Sequence, residues 1–347
     1  MVNEKRYPKV SIIIPHYNGI ELISECLESL AQTDYPNLET IVVDNASQDK
    51  SVEFITEKFP STNLIKSKTN HGFAGGCNLG VKSATGEYIV ILNNDTIQEK
   101  DWLKPLIKLI ESNINISSVQ PKILNYYDKS KFDYAGGSGG YIDYLVFPFA
   151  RGRIFDTVES DTGQYNNATK IFWASGTAFI TRKTIFDSVG GFDEDLFAHF
   201  EEIDYHWKCH LMGYNVWVEP KSVVYHKGGA TLSDTSPFKT YLNHRNSLIL
   251  LLTNYQGWRG LLLSFPRMML EGVSFLKEVF AGRFDHAFAH VKAKSWIIFH
   301  PNIIIKRRQL IKQIAKLNNT QLSNKIYKKS IVIEYFLRKK TEFNKIK

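Results

Sequence analysis

Cysteine is scarce in this chain, and its sequence has no hydrophobic run long enough to cross a membrane. Cys26, Cys77 and Cys209 are the only cysteines among 347 residues, and they lie far apart. Three isolated thiols exclude a disulfide framework and a cysteine zinc site, and they indicate a reducing compartment. The longest uncharged stretch of the C-terminal third, residues 246–258, is well short of the ~20 residues that a spanning helix needs.

The first eight residues lack the apolar segment of a signal peptide, because they are charged and lead directly into a strand-like run. Hydrophobic residues make up 43% of the chain and charged residues 22%, which excludes a disordered or collagen-like protein. The sequence therefore predicts a cytoplasmic globular protein that associates peripherally with the inner face of the cell membrane.

Acidic residues are few in the C-terminal third. Residues 241–347 contain 20 Lys and Arg against 5 Asp and Glu, a net charge of +15. The first 240 residues contain 23 against 30, a net of −7, and the two parts sum to the +8 of the whole chain. Such asymmetry indicates an anionic partner for the basic part, such as membrane lipid, nucleic acid or a polyanionic substrate.

Strand-like and helix-like segments alternate through the first hundred residues. Short apolar strands are predicted at residues 10–15, 39–44, 64–65 and 88–92, separated by helices at 20–31, 49–59 and 73–84. This order predicts an α/β fold whose mostly parallel sheet is covered by helices on both faces. Ligands bind at the carboxyl ends of such strands, where Asp44 and Asp95 lie.

The alternation stops at residues 125–170, which are rich in Gly, Tyr and Asp and predict a long functional loop that walls a binding site. A strand is predicted at 171–181, a helix at 200–212, and short strands at 214–218 and 223–226. From residue 241 onward the pattern is helical, with basic and aromatic residues interleaved.

Three motifs follow the predicted strands. Taken alone, each motif allows one functional and one purely structural interpretation. Asp44 can accept the N–H of a pyrimidine, or it can be a cap of the next helix. The glycine-dense segment 70–80 opens a helix and can admit a diphosphate, or it can be a structural turn. Asn93-Asn94-Asp95 offers one carboxylate to a divalent metal, or it forms a turn.

Two later motifs also carry chemistry. Glu201-Glu202-Ile-Asp204 begins the predicted helix at 200–212, so one carboxylate can serve as a general base, or the acids can favour the helix dipole. His226 ends a predicted strand and can bind a metal as a neutral imidazole, although a single histidine is more often structural.

The order of these motifs resembles the inverting glycosyltransferases of family 2, which have the GT-A fold. The matching segments are Val10-Ser-Ile-Ile-Ile-Pro-His-Tyr-Asn18, Ile41-Val-Val-Asp-Asn-Ala-Ser-Gln-Asp49, Asn70-His-Gly-Phe-Ala-Gly-Gly-Cys-Asn78, Leu92-Asn-Asn-Asp-Thr96, Ser175-Gly-Thr-Ala178, Gly190-Gly-Phe-Asp193, Glu201-Glu-Ile-Asp204 and Val224-Tyr-His226. The segment Tyr241-Leu-Asn-His-Arg-Asn246 and the Asn-rich form of the Asp-x-Asp motif are similar to the rhamnosyltransferase-like branch. The resemblance covers about residues 8–255.

The resemblance implies a role for each matching residue. Nucleotide and donor binding would fall to Pro15, Tyr17, Asp44, Asn70, Gly75, Asn78, Asn94 and Arg245. Asp95 would bind Mg²⁺ or Mn²⁺, with His226 completing the metal site. Glu202 stands where the family has its catalytic aspartate, and Glu201 or Asp204 could carry or share that role.

The implied function is inverting transfer of a sugar from a UDP- or dTDP-sugar, dTDP-rhamnose among them, to a hydroxyl of a glycan or lipid-linked saccharide in cell-surface polysaccharide synthesis. A nucleotidyltransferase is an alternative, but residues 9–20 lack the basic signature that it needs. A non-catalytic carbohydrate-binding scaffold is another, and the intact acids argue against it. Nucleic acid is not expected as a partner, and an oligomer is compatible with the sequence.

Two regions are predicted: a GT-A domain at residues 1–255 and a basic amphipathic helical region at 256–347. Basic clusters at 306–308, 328–329 and 338–340 favour an anionic membrane surface as its partner, with packing on the core as the alternative. Trp173 is either a sugar-stacking platform or a core residue.

Overall fold

A nine-stranded sheet with helices on both faces forms the body of the protein. A computed structural model describes residues 7–228 and 236–346. Its strands are β1 (Val10–His16), β2 (Leu38–Asp44), β3 (Asn63–Lys66), β4 (Tyr88–Leu92), β5 (Thr96–Gln98), β6 (Ile116–Asn125), β7 (Gly140–Ile142), β8 (Pro148–Ala150), β9 (Arg153–Ile154), β10 (Thr157–Val158), β11 (Thr169–Ile171), β12 (Ala178–Arg182) and β13 (Asn215–His226).

The helices alternate with the strands in the first half and dominate the last third. They are α1 (Ile20–Ala31), α2 (Ser51–Lys58), α3 (Gly72–Ser83), α4 (Leu103–Glu111), α5 (Lys183–Ser188), α6 (Glu201–Leu211), α7 (Pro237–Asn254), α8 (Arg259–Phe280), α9 (Phe284–Phe299), α10 (Pro301–Ile314), α11 (Asn319–Ser323) and α12 (Phe343–Ile346). A short 3₁₀ helix spans Glu194–Leu196, and a π-helical turn spans Ile333–Leu337.

The main sheet has the order β11-β13-β6-β12-β4-β1-β2-β3, with β5 paired to β13. Strands β1 to β4, β6 and β13 run in one direction, whereas β5, β11 and β12 run against them. The predicted α/β class with a mostly parallel sheet is therefore confirmed. Because the parallel strands end at one edge, their carboxyl ends gather the residues that follow them.

Alternate residues of each strand enter two separate cores. Ile12 and Ile14 of β1 pack with the apolar residues of α1 and α4 on one face. Ile13, between them, packs with residues of α3, α5 and α6 on the other face. Both faces of β1 are fully buried, as expected for a strand in the middle of a parallel sheet.

Several elements differ from the pattern expected in the sequence. Helix α4 and strand β6 were not assigned, although β6 pairs along its whole length with β13. The two strands predicted at 214–218 and 223–226 are one strand, β13, with a register shift between Glu219 and Val223. The strand predicted at 171–181 is divided into β11 and β12, because residues 172–177 leave the sheet.

The irregular segment 125–170 folds into a second, four-stranded sheet of order β10-β9-β8-β7. Trp173 beside it is a core residue: its side chain is 6% exposed, and its Nε1 donates to the carbonyl of Tyr141 over 2.9 Å. It packs with Ile142 and Trp207, so Trp173 is a core residue and not a sugar-stacking platform.

The C-terminal helices complete the core of the body. Apolar residues of α10 and α11, such as Ile311 and Leu322, pack in one cluster with α6, α7 and residues 142–146. Arg307 of α10 reaches into the body, where it forms ion pairs with Asp193 and Asp204. Within residues 7–228 and 236–346, no helix combines the length and the apolarity that a membrane crossing needs.

Candidate active site

A cavity of about 600 Å³ opens at the carboxyl ends of the parallel strands. Residues that follow β1 and β4, the end of β13, the start of α6 and the segment before β12 all line it. Eight of the predicted site residues line this cavity: Pro15, Tyr17, Asn70, Asn94, Asp95, Glu201, Glu202 and His226. The segment 125–170 contributes to the same wall through residues 125 and 133–135.

Asp95, His226 and Asp133 form a line of charged groups at the cavity wall. His226 Nδ1 lies 2.9 Å from Asp133 Oδ1 and is hydrogen-bonded to it. On the other side of the ring, His226 Nε2 lies 3.1 Å from Asp95 Oδ1. Burial alone would lower the pKa of His226, but the two carboxylates outweigh it and raise the pKa to about 10.

The contact between Asp95 and His226 is close but lacks hydrogen-bond geometry. Asp95 Oδ1 and His226 Nε2 are both buried, and neither has a hydrogen-bond partner among the described residues. Two such atoms side by side, with Asp133 behind the imidazole, match the carboxylate–histidine arrangement of protein metal sites. The two predicted metal ligands are thus brought together. Asp133 was not singled out in the sequence, because its loop showed no regular pattern.

Asn94 turns toward β1 rather than toward Asp95. Its Nδ2 lies 2.8 Å from Nδ1 of His16, the last residue of β1. Burial lowers the pKa of His16, although Asp44 and Asp49 act in the opposite direction. The lowered pKa favours a neutral imidazole, whose Nδ1 can accept the amide proton of Asn94.

Glu201 and Glu202 face the cavity from the first turn of α6. In the part of the chain that the structure describes, Oε2 of each is buried without a hydrogen-bond partner. Burial raises the pKa of Glu202 to about 7. Burial and the neighbouring charge of Glu202 raise the pKa of Glu201 well above its usual range. Glu202 is therefore the carboxyl of the pair that ionises first as the pH rises.

The loop before α6 holds an unusual backbone conformation at the cavity. Phe197, His199 and Phe200 all have positive φ, between 64° and 72°, which is rare for residues other than glycine. The carbonyl oxygen of Phe197 accepts the N–H of Ala74 over 3.0 Å, so the loop also touches the start of α3. A Cβ at Gly72 would lie 2.4 Å from that same oxygen, which explains the glycine there. Strain of this kind persists where surrounding contacts hold it, and it is concentrated at functional sites.

Arg245 and Asn246 of α7 hold this loop from behind. Nδ2 of Asn246 lies within 3.0 Å of the carbonyl oxygens of Leu196, Ala198 and His199. Arg245 donates to the carbonyls of Asp195 and Leu196 over 2.8 and 3.0 Å. Arg245 does not line the cavity and contacts this loop, and its nucleotide-binding role stays a prediction. Asn246 was part of the matching segment but was not named as a site residue.

A comparison with known families decides the assignment of the chain. The family described as Glycosyl transferase family 2 matches residues 11–190, more than half of the 347 residues. The chain belongs to this family. The match covers β1 to β12 and the Asn93-Asn94-Asp95 motif, and it ends before Glu201.

Two curated relatives are similar to this family 2 chain. The poly-beta-1,6-N-acetyl-D-glucosamine synthase of Staphylococcus epidermidis is 28% identical over 218 residues, which cover 62% of this chain and 48% of the synthase. The O-antigen biosynthesis protein RfbC of Myxococcus xanthus is 28% identical over 244 residues, which cover 67% of this chain and 18% of RfbC. The chain thus spans about half or less of the length of these relatives.

Two solved structures share the fold. GalNAc-T7, solved with UDP, GalNAc and Mn²⁺, has a TM-score of 0.55 and 16% identity, over 72% of this chain and 48% of its own. The mannosyltransferase PcManGT from Pyrobaculum calidifontis, solved with GDP-Man and Mn²⁺, has a TM-score of 0.50 and 16% identity, over 92% of this chain and 84% of its own. The expected GT-A fold is thereby confirmed, and the rhamnosyltransferase-like branch stays a prediction.

Four further predicted residues of the family 2 site lie outside the cavity lining. Asp204 is fully buried, 2.7 Å from Lys208 Nζ and 2.6 Å from Arg307 Nη2. Burial alone would raise the pKa of Asp204, but these two cations lower it to about 2. This carboxylate therefore joins α6 to α10 and does not line the cavity.

The other three support the cavity wall. Asn78 exchanges two hydrogen bonds with the backbone of Phe192, 2.9 and 3.1 Å long. Gly75 leaves room for His71, since a Cβ there would lie 2.7 Å from the Cβ of His71. Asp44 is 3% exposed and accepts the N–H of Ser47 over 3.2 Å. It thereby closes a turn and does not cap α2, which begins seven residues later at Ser51.

Proposed function

We propose that this protein is an inverting glycosyltransferase that moves a sugar from a UDP- or dTDP-sugar to a hydroxyl group of a glycan or lipid-linked saccharide. The observation that carries the proposal is the meeting of two unlike groups at one cavity. The Glu201–Glu202 pair, with a raised pKa, faces the same space as the Asp95–His226 pair. One pair suits a proton acceptor, and the other suits the diphosphate side of a nucleotide-sugar.

Glu202 would act as the general base. Its carboxylate takes the proton of the acceptor hydroxyl while that oxygen forms a bond to the anomeric carbon from the face opposite the diphosphate. The bond between the anomeric carbon and the diphosphate oxygen breaks, and the nucleoside diphosphate leaves with the electron pair. A pKa near 7 suits this task, because the group is ionised at neutral pH yet still basic enough to take the proton.

Asp95 and His226 would hold Mg²⁺ or Mn²⁺, and Asp133 would orient the imidazole. The residues fit such an ion because both facing atoms are buried and have no hydrogen-bond partner within the described ranges. The proton that His226 Nε2 shares with Asp95 as an ion pair would be displaced by the ion. A divalent ion there would neutralise the negative charge of the departing diphosphate.

Two partners follow from this reaction. The donor base would lie near Pro15 and Tyr17, which line the cavity. Asp44, buried at the end of β2 outside the lining, would accept the N3–H of uracil or thymine in addition to the N–H of Ser47. The acceptor would belong to cell-surface polysaccharide synthesis, the setting named for the synthase and for RfbC. The basic C-terminal region would keep the enzyme at an anionic membrane surface, where lipid-linked saccharides occur.

Calorimetry of nucleotide binding tests the proposal. UDP and dTDP should bind more tightly than CDP and GDP, and Mn²⁺ or Mg²⁺ should strengthen the binding of the diphosphates but not of uridine. Asp95→Asn should abolish the metal effect and leave uridine binding intact. Asp101→Asn, an exposed acid on the same segment, is the matched control and should keep it. Equal affinity for all four diphosphates, with or without metal, would refute the proposed site.

A further inference from the structure

Helix α8 is folded with its polar face inward and its apolar face outward. The only large side chains that it buries are those of Arg267 and Glu271, which are 2% and 1% exposed. Its outer face carries apolar residues three or four positions apart: Leu262, Phe265, Met269, Val273, Leu276 and Phe280, each between 50% and 86% exposed. A helix on the surface of a water-soluble domain normally has the opposite arrangement.

Helix α9 continues this surface. Phe284, Phe288, Ile298 and Phe299 are between 67% and 78% exposed, whereas the buried residues of α9 are three alanines and His290. Of the 22 exposed large hydrophobic residues in the described ranges, 14 lie between residues 258 and 299. Scattered exposed apolar residues need no explanation, but a concentration of this kind marks an interaction surface. We call the exposed apolar residues of 258–299 the apolar face.

A buried ion-pair network fixes which way α8 points. Arg267 donates to Glu271 Oε1 over 2.9 and 3.0 Å and to the carbonyl of Leu145 over 2.7 Å. The other oxygen of Glu271 lies 2.8 Å from His244 Nδ1 of α7 and 3.4 Å from His290 Nδ1 of α9. These contacts join α7, α8 and α9 through their polar sides. The helix cannot turn its apolar side inward without breaking them, so the exposure of that side is specified by the sequence.

Three residues of this ion-pair network are of the types that bind metal ions. The ligand atoms of His244, Glu271 and His290 lie within 4.8 Å of one another. However, Arg267 already neutralises Glu271, and the two imidazole rings pack against each other with centroids 3.7 Å apart and planes tilted by 40°. These contacts account for the cluster as a structural ion-pair network.

We propose that the apolar face lies in the interfacial layer of an anionic lipid bilayer, with α8 and α9 parallel to the membrane plane. Charge decides between lipid and a second copy of the chain as the occupant. Lys277 and Lys292 project from the same two helices, and residues 241–347 carry a net charge of +15. A second copy would bring the same excess of positive charge to the contact, whereas anionic headgroups would neutralise it. This inference deepens the membrane partner of the proposed function.

If the apolar face binds the bilayer, membrane affinity comes mainly from its apolar residues and less from the basic clusters. Three of the eight basic residues in the clusters singled out in the sequence are engaged in ion pairs within the protein: Arg307 pairs with Asp204, and Arg338 and Lys340 pair with Glu334. Apolar insertion, aided by charge, is therefore expected to dominate. Binding should resist salt better than a purely electrostatic contact, which is screened within about 10 Å at 0.1 M ionic strength.

Vesicle flotation with the full chain tests the inference. The protein should float with vesicles of phosphatidylglycerol and phosphatidylcholine, and a substantial fraction should remain bound in 1 M NaCl. The triple variant Leu262→Ser, Phe265→Ser, Met269→Ser should lose at least tenfold in vesicle affinity. A control with Ile114→Ser, Tyr127→Ser and Leu337→Ser replaces equally exposed residues elsewhere and should bind as the unchanged chain does.

A site-specific label gives a second readout. All three native cysteines are buried, so a thiol-reactive fluorophore attached to Met269→Cys would report on that position alone. Its emission should shift to the blue with vesicles, and the same label on Ile114→Cys should not shift. If vesicles leave both labels unchanged, or if the triple variant only abolishes a dimer seen by ultracentrifugation, the lipid assignment is wrong. UDP binding in solution should be the same for both triple variants, which separates this test from that of the proposed reaction.

Discussion

At the scale of single residues, the two adjacent glutamates of the site, Glu201 and Glu202, differ in their burial and in their pKa. Both line the cavity, but Glu201 is nearly fully buried and has the higher pKa, so Glu202 is the better proton acceptor at neutral pH. Glu202→Gln should reduce sugar transfer by about 100-fold or more, the usual contribution of a general base. Nucleotide binding by calorimetry should be unchanged. A larger loss of transfer in Glu201→Gln would move the role to that residue.

The raised pKa of Glu202 also predicts the pH dependence of the reaction. A base must be unprotonated to act, so kcat/KM should rise with pH up to about 7 and then level off. Well below that pH it should fall about tenfold per unit, because the unprotonated fraction of Glu202 falls in that proportion. The profile is measured as release of nucleoside diphosphate with acceptor present. A flat profile between pH 5 and 8 would exclude Glu202 as the base.

Asp133 is a residue-scale feature that no sequence motif indicated. Its carboxylate accepts a hydrogen bond from His226 Nδ1 and leaves Nε2 directed toward Asp95. Asp133→Asn should weaken Mn²⁺ binding by about 10–100-fold, the usual effect of losing such a partner. The measurement is a titration of Mn²⁺ against the UDP complex. Asp128→Asn, an exposed acid of the same segment, should leave the affinity as it is.

At the scale of elements, the loop before α6 depends on a helix that begins 37 residues after it, counted from Phe200 to Pro237. Asn246→Ala should remove the contacts to three loop carbonyls, so the amides of residues 196–199 should exchange hydrogen faster and turnover should fall at least tenfold. Asn319→Ala is the matched control, because it loses two backbone contacts to Gln256 far from the cavity. That variant should lose stability without losing turnover.

Elements built from local patterns were predicted well. Helix α1 and strand β4 were placed at their observed bounds, because apolar spacing and β-branched runs act over a few residues. The division of residues 171–181 was not predicted, since it depends on β12 entering the sheet between β4 and β6. The positions of Arg245 and Asp204 were also missed. A sequence motif shows that a residue type is needed, but only the packed neighbours show which way its side chain points.

At the scale of the whole molecule, the C-terminal region cannot be removed without cost to the body. Truncation after residue 282 would take away Arg307 and the apolar residues of α10 and α11 that share a core with α6 and α7. Such a truncation should therefore also impair nucleotide binding by the body. The boundary between residues 255 and 256 is therefore not one at which the fold divides.

A substitution of Arg307 tests whether the C-terminal helices and the body are stabilised together. Arg307→Met should lower the free energy of unfolding by about 3–5 kcal/mol, because Asp193 and Asp204 lose a buried ionic partner. Lys312→Met, an exposed residue of the same helix, should change it by less than about 0.5 kcal/mol. Denaturant unfolding followed by fluorescence measures both. A small effect in Arg307→Met would mean that α10 is held by apolar contacts alone.

The order of strands in the main sheet has a consequence for synthesis on the ribosome. Strands β1 to β4 are neighbours in sequence and in space, but His226 arrives on β13, about 130 residues after Asp95. At ~5–20 residues per second, that interval is on the order of ten seconds. During it the nascent chain carries a half-built site, with the acid that follows β4 but without the imidazole that faces it. Under the proposed function, the residues assigned to the nucleotide base are synthesised early, and the imidazole assigned to the metal ion is synthesised late, when most of the polypeptide has already emerged.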